Sequence, residues 1–153
     1  MLNEGPKMPT PQEFAQSAAQ SDGYELAAAQ AVLAQSRSPQ VRKFAEQMLA
    51  DHMRISQTLR DAASASGLAP PQPHVGGDQM RFLAGLQSLR GTEFDREYAR
   101  QQVLAHTSAL VTMRSYATKG SDSSLRRAAA SAVPVIEHHL QMARQMKDAL
   151  GGA

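Results

Sequence analysis

The sequence predicts an all-α protein, an antiparallel bundle of four long helices with a short crossover helix between the second and third. Three observations carry this expectation. Aromatic residues make up only 5% of the 153 and Trp is absent, so the core must be built from Ala, Leu, Val and Met, which suit helices. Few runs of Val, Ile, Thr and aromatics exist that could form strands. In four stretches apolar residues recur at alternating spacings of three and four, the signature of one buried helical face.

Residues 1–10, with Glu4, Gly5, Pro6, Lys7 and Pro9, read as a disordered tail, and residues 11–150 as a single domain. That first segment lacks the apolar centre of a secretory signal, so the expectation is a cytoplasmic chain or a mature or trimmed form. Thr10, Pro11 and Glu13 spell a helix start with a capping hydroxyl, proline at the first helical position and a carboxylate able to reach back. This first helix is expected to reach Ser36. Ser38 and Pro39 repeat the signal at once, so the second helix lies antiparallel to the first and runs to Ser66, where Gly67 supplies a left-handed stop.

Residues 68–77 are rich in Pro and Gly and read as a connection. Asp78 is expected to cap a crossover helix ending near Arg90, with Gly91 as the break. Thr92, followed three residues later by Asp95, reopens a third long helix that reaches Lys119 and stops at Gly120. Ser121 or Asp122 caps the fourth, which runs to Leu150. Pro134 lies inside it and is expected to bend it just before His139.

Each long helix carries a metal-ligand type of side chain on its apolar face. The second helix aligns Val41, Ala45, Met48, His52, Ile55 and Leu59; the third aligns Ala99, Val103, His106, Leu110 and Met113; the fourth aligns Ala132, Ile136, His139, Ala143 and Met146. On the first, Phe14, Ala18, Glu25, Ala28 and Val32 share a face. Glu25 lies about 12 residues before the first turn and His52 about 15 after it, heights of about 18 and 22 Å. His106 and His139 stand at about 22 and 27 Å from the second turn by the same rise. Each hairpin thus brings a ligand pair to mid-height, and an ionised Glu buried without a partner would be costly.

Glu25, His52, His106 and His139 are therefore the expected metal ligands. The other reading is a hydrogen-bonded network of neutral imidazoles with a carboxylate. Cysteine is absent, so any ion must be held by imidazole and oxygen. That set suits zinc first, with iron, manganese or copper also compatible. Asp51, Asp95 and Tyr98 are expected to touch or surround the ligands. Each also has a plainer role: Asp51 as a solvated flank, Asp95 as the third-position carboxylate of its helix, Tyr98 as a packed ring. Glu137 and His138 fall off the apolar face, His74 sits in the connection, and the dispersed Met residues read as core filler. Gly23 weakens its helix beside Glu25, either to admit another backbone or as a tolerated residue.

Other classes are set aside on composition. The chain carries a formal charge of +2 and a pI near 9.2, but its 16 basic residues are spread among 14 acids with no basic stripe, so nucleic-acid binding is not expected. No run of about 18 apolar residues exists to span a membrane. The protein partner is left open, and a homo-oligomer is compatible.

Met48, Asp51 and His52, then Phe94, Asp95, Tyr98 and His106, then Pro134, His139, Leu140 and Ala143 give the chain a resemblance to the bacterial ferritin-like domain of unknown function. Its members often carry the description predicted outer membrane protein. The resemblance spans residues 12 to 146 and implies a ferritin-like four-helix bundle, usually exported to the periplasm or cell envelope, with no settled activity. Ferritin-like di-iron sites pair each His with a Glu three residues earlier. Here those positions are Leu49 and Ile136. A mononuclear, His-rich metal site, linked to envelope stress or metal handling, is the first functional expectation. A structural or interaction bundle with a hydrogen-bonded polar core is the second, and a dinuclear redox enzyme the third. No catalytic residue or substrate is indicated.

Overall fold

The computed structural model describes residues 7–151, which form five α-helices and, among the described residues, no strand. They are α1 (Pro11–Gln35), α2 (Pro39–Ala65), α3 (Gly77–Gln87), α4 (Gly91–Lys119) and α5 (Ser123–Ala149). The expected tail falls partly outside this range, since residues 1–6 are not described. Met8 is half-buried against the core.

Capping chemistry sets most of the boundaries. Thr10 Oγ1 accepts from the Glu13 N–H at 3.1 Å while Glu13 accepts from the Thr10 N–H at 3.0 Å, a reciprocal cap worth about 1 kcal/mol. Ser38 caps α2 and the Asp122 carboxylate caps α5 through the Leu125 N–H at 2.9 Å. Gly67 ends α2 at φ +75°.

Two expected starts are corrected. Gly76, not Asp78, precedes α3; Asp78 lies in its first turn, where its charge still complements the helix dipole. The α4 helix begins at Gly91 after Arg90, with no side-chain cap, so Thr92 and Asp95 form no capping box. Gly91 has φ +60°, a left-handed conformation open to glycine, and the chain enters the helix before Thr92 is reached. Asp95 is thereby freed to accept from Ser36 Oγ at 2.6 Å.

Three contacts give the directions of the rods. Phe14 at the start of α1 stacks on Tyr116 near the end of α4 with ring centroids 3.9 Å apart, and Ser36 beyond α1 meets Asp95 near the start of α4, so these helices are antiparallel. Ser66 after α2 donates to Asp122 before α5 at 2.9 Å, which makes that pair antiparallel too. The short turns at Ser36–Ser38 and Gly120–Asp122 fold each hairpin on itself. Helices α2 and α4 therefore run the same way, and residues 66–76 with α3 carry the chain back along the bundle.

The buried side chains fall into two apolar clusters. One gathers Val32, Val41, Phe44, Met48, Phe94, Tyr98 and Met146 at the end near the α1–α2 turn. The other gathers Phe14, Ile55, Leu59, Met113, Tyr116, Leu125 and Ile136 at the opposite end. Between them lie the buried polar residues Asp22, Glu25, His52, Gln102, His106 and His139.

The returning connection is seated on α1 at this level. The His74 N–H donates to the Ala19 carbonyl at 3.2 Å, and a Cβ on Gly23 would fall 2.2 Å from the His74 carbonyl oxygen. His74 is accordingly half-buried, its ring nitrogens near Gln16 and the Gln72 carbonyl. Gly23 thus admits a crossing backbone. Gly23→Ala should lower the unfolding free energy by about 1–3 kcal/mol through overpacking; an unchanged urea midpoint would show that the connection is not seated there.

Candidate metal centre

His52 projects from α2, His106 from α4 and His139 from α5, and none is more than 2% exposed. Their ring centroids are 5.2 to 5.6 Å apart. One ligand nitrogen from each ring lies within 4.8 Å of the other two. Heptad-like spacing puts each ring on the inward face, and the matched distances of the residues from their turns put them at one height.

Each ring is held from outside by an acceptor. His52 Nδ1 is 2.9 Å from Asp22 Oδ1, His106 Nδ1 is 2.9 Å from the Gln102 carbonyl, and His139 Nε2 is 2.7 Å from Asp51 Oδ2. A carbonyl or carboxylate only accepts, so each outer nitrogen carries the hydrogen. The inner nitrogens of neutral His106 and His139, Nε2 and Nδ1, then present lone pairs to one another, and His52 Nε2 adds a third whenever its ring is neutral. His106 Nε2 and His139 Nδ1 stand 3.3 Å apart, while His52 Nε2 is buried with no partner. Outer acceptors that fix the tautomer and aim the other nitrogen inward are the usual support of imidazole ligands.

The electrostatics keep two of the rings neutral. Burial, with the other imidazoles adding to it, pushes His106 down to about 3. Burial likewise takes His139 to about 4, against the opposing pull of Asp51. His52 differs: burial alone would lower it, but the Asp22 hydrogen bond and the nearby Glu25 charge outweigh that and raise it. Burial raises Asp22, with His52 opposing.

Glu25 is 2% exposed and stands beside the three rings rather than among them. Its Oε1 is 3.8 Å from His106 Nδ1, whose hydrogen goes to Gln102, and its Oε2 has no hydrogen-bond partner. Burial pushes its carboxyl up to about 7, against the pull of His52 and the Gln102 amide. The Gln102 amide is fully buried and neither of its polar atoms is hydrogen-bonded.

Of the side chains expected around the ligands, Asp51 touches His139 directly and also accepts from Gln47 and Arg54. Tyr98 is fully buried, edge-on to Phe44, its hydroxyl without a partner. Burial and then the Glu25 charge hold that hydroxyl protonated. Asp95 is not brought here. It serves Ser36 at the α1–α2 turn, 11 residues before His106 and so about 16 Å away along α4.

Two contributors escape the sequence expectation, Asp22 and Gln102. Asp22 lies four residues after Ala18 and three before Glu25, so the spacing itself placed it on the inward face. Gln102 lies four before His106, and the helix turns Gln102 fully inward while Val103 is only half-buried.

The residues fit a metal ion. Three imidazole nitrogens in one tetrahedral shell at about 2.0–2.1 Å stand about 3.4 Å from each other; the His106–His139 pair is at 3.3 Å and the whole set lies within 4.8 Å. The partnerless His52 Nε2 and Glu25 Oε2 are buried atoms of the kind that normally have a partner.

The family described as Domain of unknown function (DUF4142) matches residues 2–146. No curated protein matches the chain in sequence. Among solved structures, CopM in the Cu(II)-bound form is similar with a TM-score of 0.75 and 18% identity, over 93% of this chain and 98% of that one. A DUF305 fragment from Deinococcus radiodurans is similar with a TM-score of 0.76 and 20% identity, over 96% and 99%. At such identities the likeness is one of fold.

The pH dependence of ion-free protein follows from the shifts. His106 and His139 are depressed on folding, so the stability they contribute is full above their ordinary 6.5 and is lost as pH falls through about 4 and about 3. Glu25 has the opposite sign: its contribution is full below 4.5 and is lost as pH rises through about 7. In urea unfolding with chelator present, Glu25→Gln should therefore gain on wild type between pH 4.5 and 7, and His106→Gln should gain as pH falls from 6.5 to 4. Curves parallel to wild type would contradict both assignments.

Proposed function

Since the chain belongs to the family Domain of unknown function (DUF4142), whose description assigns no chemistry, the core must supply the reading, and we propose that it holds one metal ion on His52, His106 and His139. The observation that carries this is the orientation of the rings. Three outer acceptors leave three inner nitrogens converging with no hydrogen between the closest pair. A cation is what such a set of lone pairs lacks.

Glu25 supplies negative charge beside the ion and becomes its fourth ligand if its side chain closes on the rings. Asp22, Asp51 and the Gln102 carbonyl hold the ligands in place, and Tyr98 packs in the adjoining apolar cluster. The directions of the four long helices, with one long connection, read as a ferritin-like bundle, and residues 11–150 as one unit.

Imidazole donors with at most one carboxylate suit zinc and copper better than iron or manganese. Zinc accepts the tetrahedral set most simply. The copper named for the similar CopM structure makes Cu(II) the competitor to measure against it. The reading does not extend to a dinuclear redox centre: among the described residues no carboxylate is grouped with the three rings to bridge two ions, and Asp95 serves the turn. Metal handling or storage in the periplasm or cell envelope is the setting that goes with it. No described helix is long and apolar enough to cross a membrane.

Metal-free protein titrated with Zn(II) and, separately, Cu(II) should take up one ion per chain and melt higher when loaded, by mass action. Asp22→Asn should weaken binding by about 10–100-fold, and His52→Gln, His106→Gln or His139→Gln by more. Glu25→Gln should match the His variants if Glu25 ligates and Asp22→Asn if it acts through charge alone. Uptake far below one ion per chain, with a melt indifferent to chelator, would overturn the proposal in favour of a hydrogen-bonded polar layer.

A further inference from the structure

Any ion reaching three buried imidazoles needs a way through the helices, and the two apolar clusters close both ends of the bundle. The sides differ. A cavity of about 150 Å³ opens between α2 and α5, lined by Asp51, Arg54, Thr58, Ala128, Ser131 and Ala132 among others, with room for several waters. A cavity against Asp22 has only about 10 Å³ and is lined in part by Pro71 of the connection. The larger groove between α1, α3 and α4, about 320 Å³, is lined by none of the three imidazoles and none of the outer acceptors.

The Asp51 carboxylate is part of the lining of the α2–α5 cavity. Its side chain is 13% exposed while that of His139, bonded to it at 2.7 Å, is 0% exposed. Among the carboxylates that touch or flank the rings it meets solvent most, the side chains of Asp22 and Glu25 being 5% and 2% exposed. A hydrated cation arriving there meets a carboxylate first and the His139 ring immediately behind it, whose Nε2–H is bonded to that carboxylate and whose Nδ1 faces the centre. The lining is of small or short side chains, Ala128 and Ala132 buried and Thr58 and Ser131 exposed at its rim. One charge opposes entry: the Arg54 guanidinium, 78% exposed, reaches Asp51 Oδ1 at 3.3 Å.

We propose that the cavity between α2 and α5 is the port by which a divalent cation enters and leaves the three-imidazole centre, with Asp51 capturing the cation and handing it past His139 while Arg54 competes for the same carboxylate. The inference rests on the metal-binding reading above. A port alters the barrier and not the end states, so blocking it slows uptake and release by the same factor and leaves the affinity unchanged.

The test uses full-length protein and zinc chloride. Stopped-flow uptake and release into a chromophoric chelator are compared for wild type, Ser131→Leu, Thr58→Leu and Arg54→Gln, all at exposed rim positions. The two Leu variants should slow uptake and release alike by about tenfold or more, the effect of about 1.4 kcal/mol on the barrier, with the dissociation constant within about twofold. Arg54→Gln should hasten uptake severalfold. Exchange at the wild-type rate in both Leu variants would overturn the port while leaving the metal site standing. Absence of equilibrium binding in wild type would instead defeat the metal reading itself.

Discussion

The middle of this bundle is organised by one constraint: an imidazole buried among hydrocarbon must have its N–H answered. Asp22, the Gln102 carbonyl and Asp51 answer all three from the periphery, and the facing nitrogens of His106 and His139 are thereby left without a hydrogen between them. A single unanswered ring nitrogen in such surroundings costs of order 1–3 kcal/mol. The same acceptors set ring rotation, so one set of bonds accounts for both the burial and the orientation of the rings. The layer also divides the apolar interior into two clusters, each dense enough to hold its half of the helices in register.

Much of this was legible in the sequence because helix geometry is arithmetic. Spacings of three and four put His52, His106 and His139 on inward faces, and counting from the two short turns put them at one height. Thr10, Ser38 and Gly67 announced their roles because capping depends on local chemistry. Asp95 illustrates the limit. Its distance from Thr92 suits a capping box, but a hydroxyl 59 residues away in the α1–α2 turn takes the carboxylate, and no local pattern records that.

Asp22 and Gln102 show a different failure. Both stood at positions that the periodicity reserves for the interior, and both were overlooked because a polar side chain on an apolar row reads as an interruption. A buried imidazole has two ends, however. Once three rings are assigned inward, three acceptors must exist nearby, and the positions three or four residues from the known polar residues are where to look. Glu25 marks what spacing cannot reach: the row fixes its face and height, but not whether its oxygens fall among the rings or beside them.

The rings are shared unequally between the two hairpins: α1 and α2 contribute His52, and α4 and α5 contribute His106 and His139. Ribosomal synthesis runs from one end to the other, and His106 and His139 follow His52 by 54 and 87 residues. A growing chain can therefore assemble its first hairpin, with Asp22 already beside His52, long before the other two imidazoles exist. The set of three imidazoles is thus complete only when α5, which carries His139, has packed against the others.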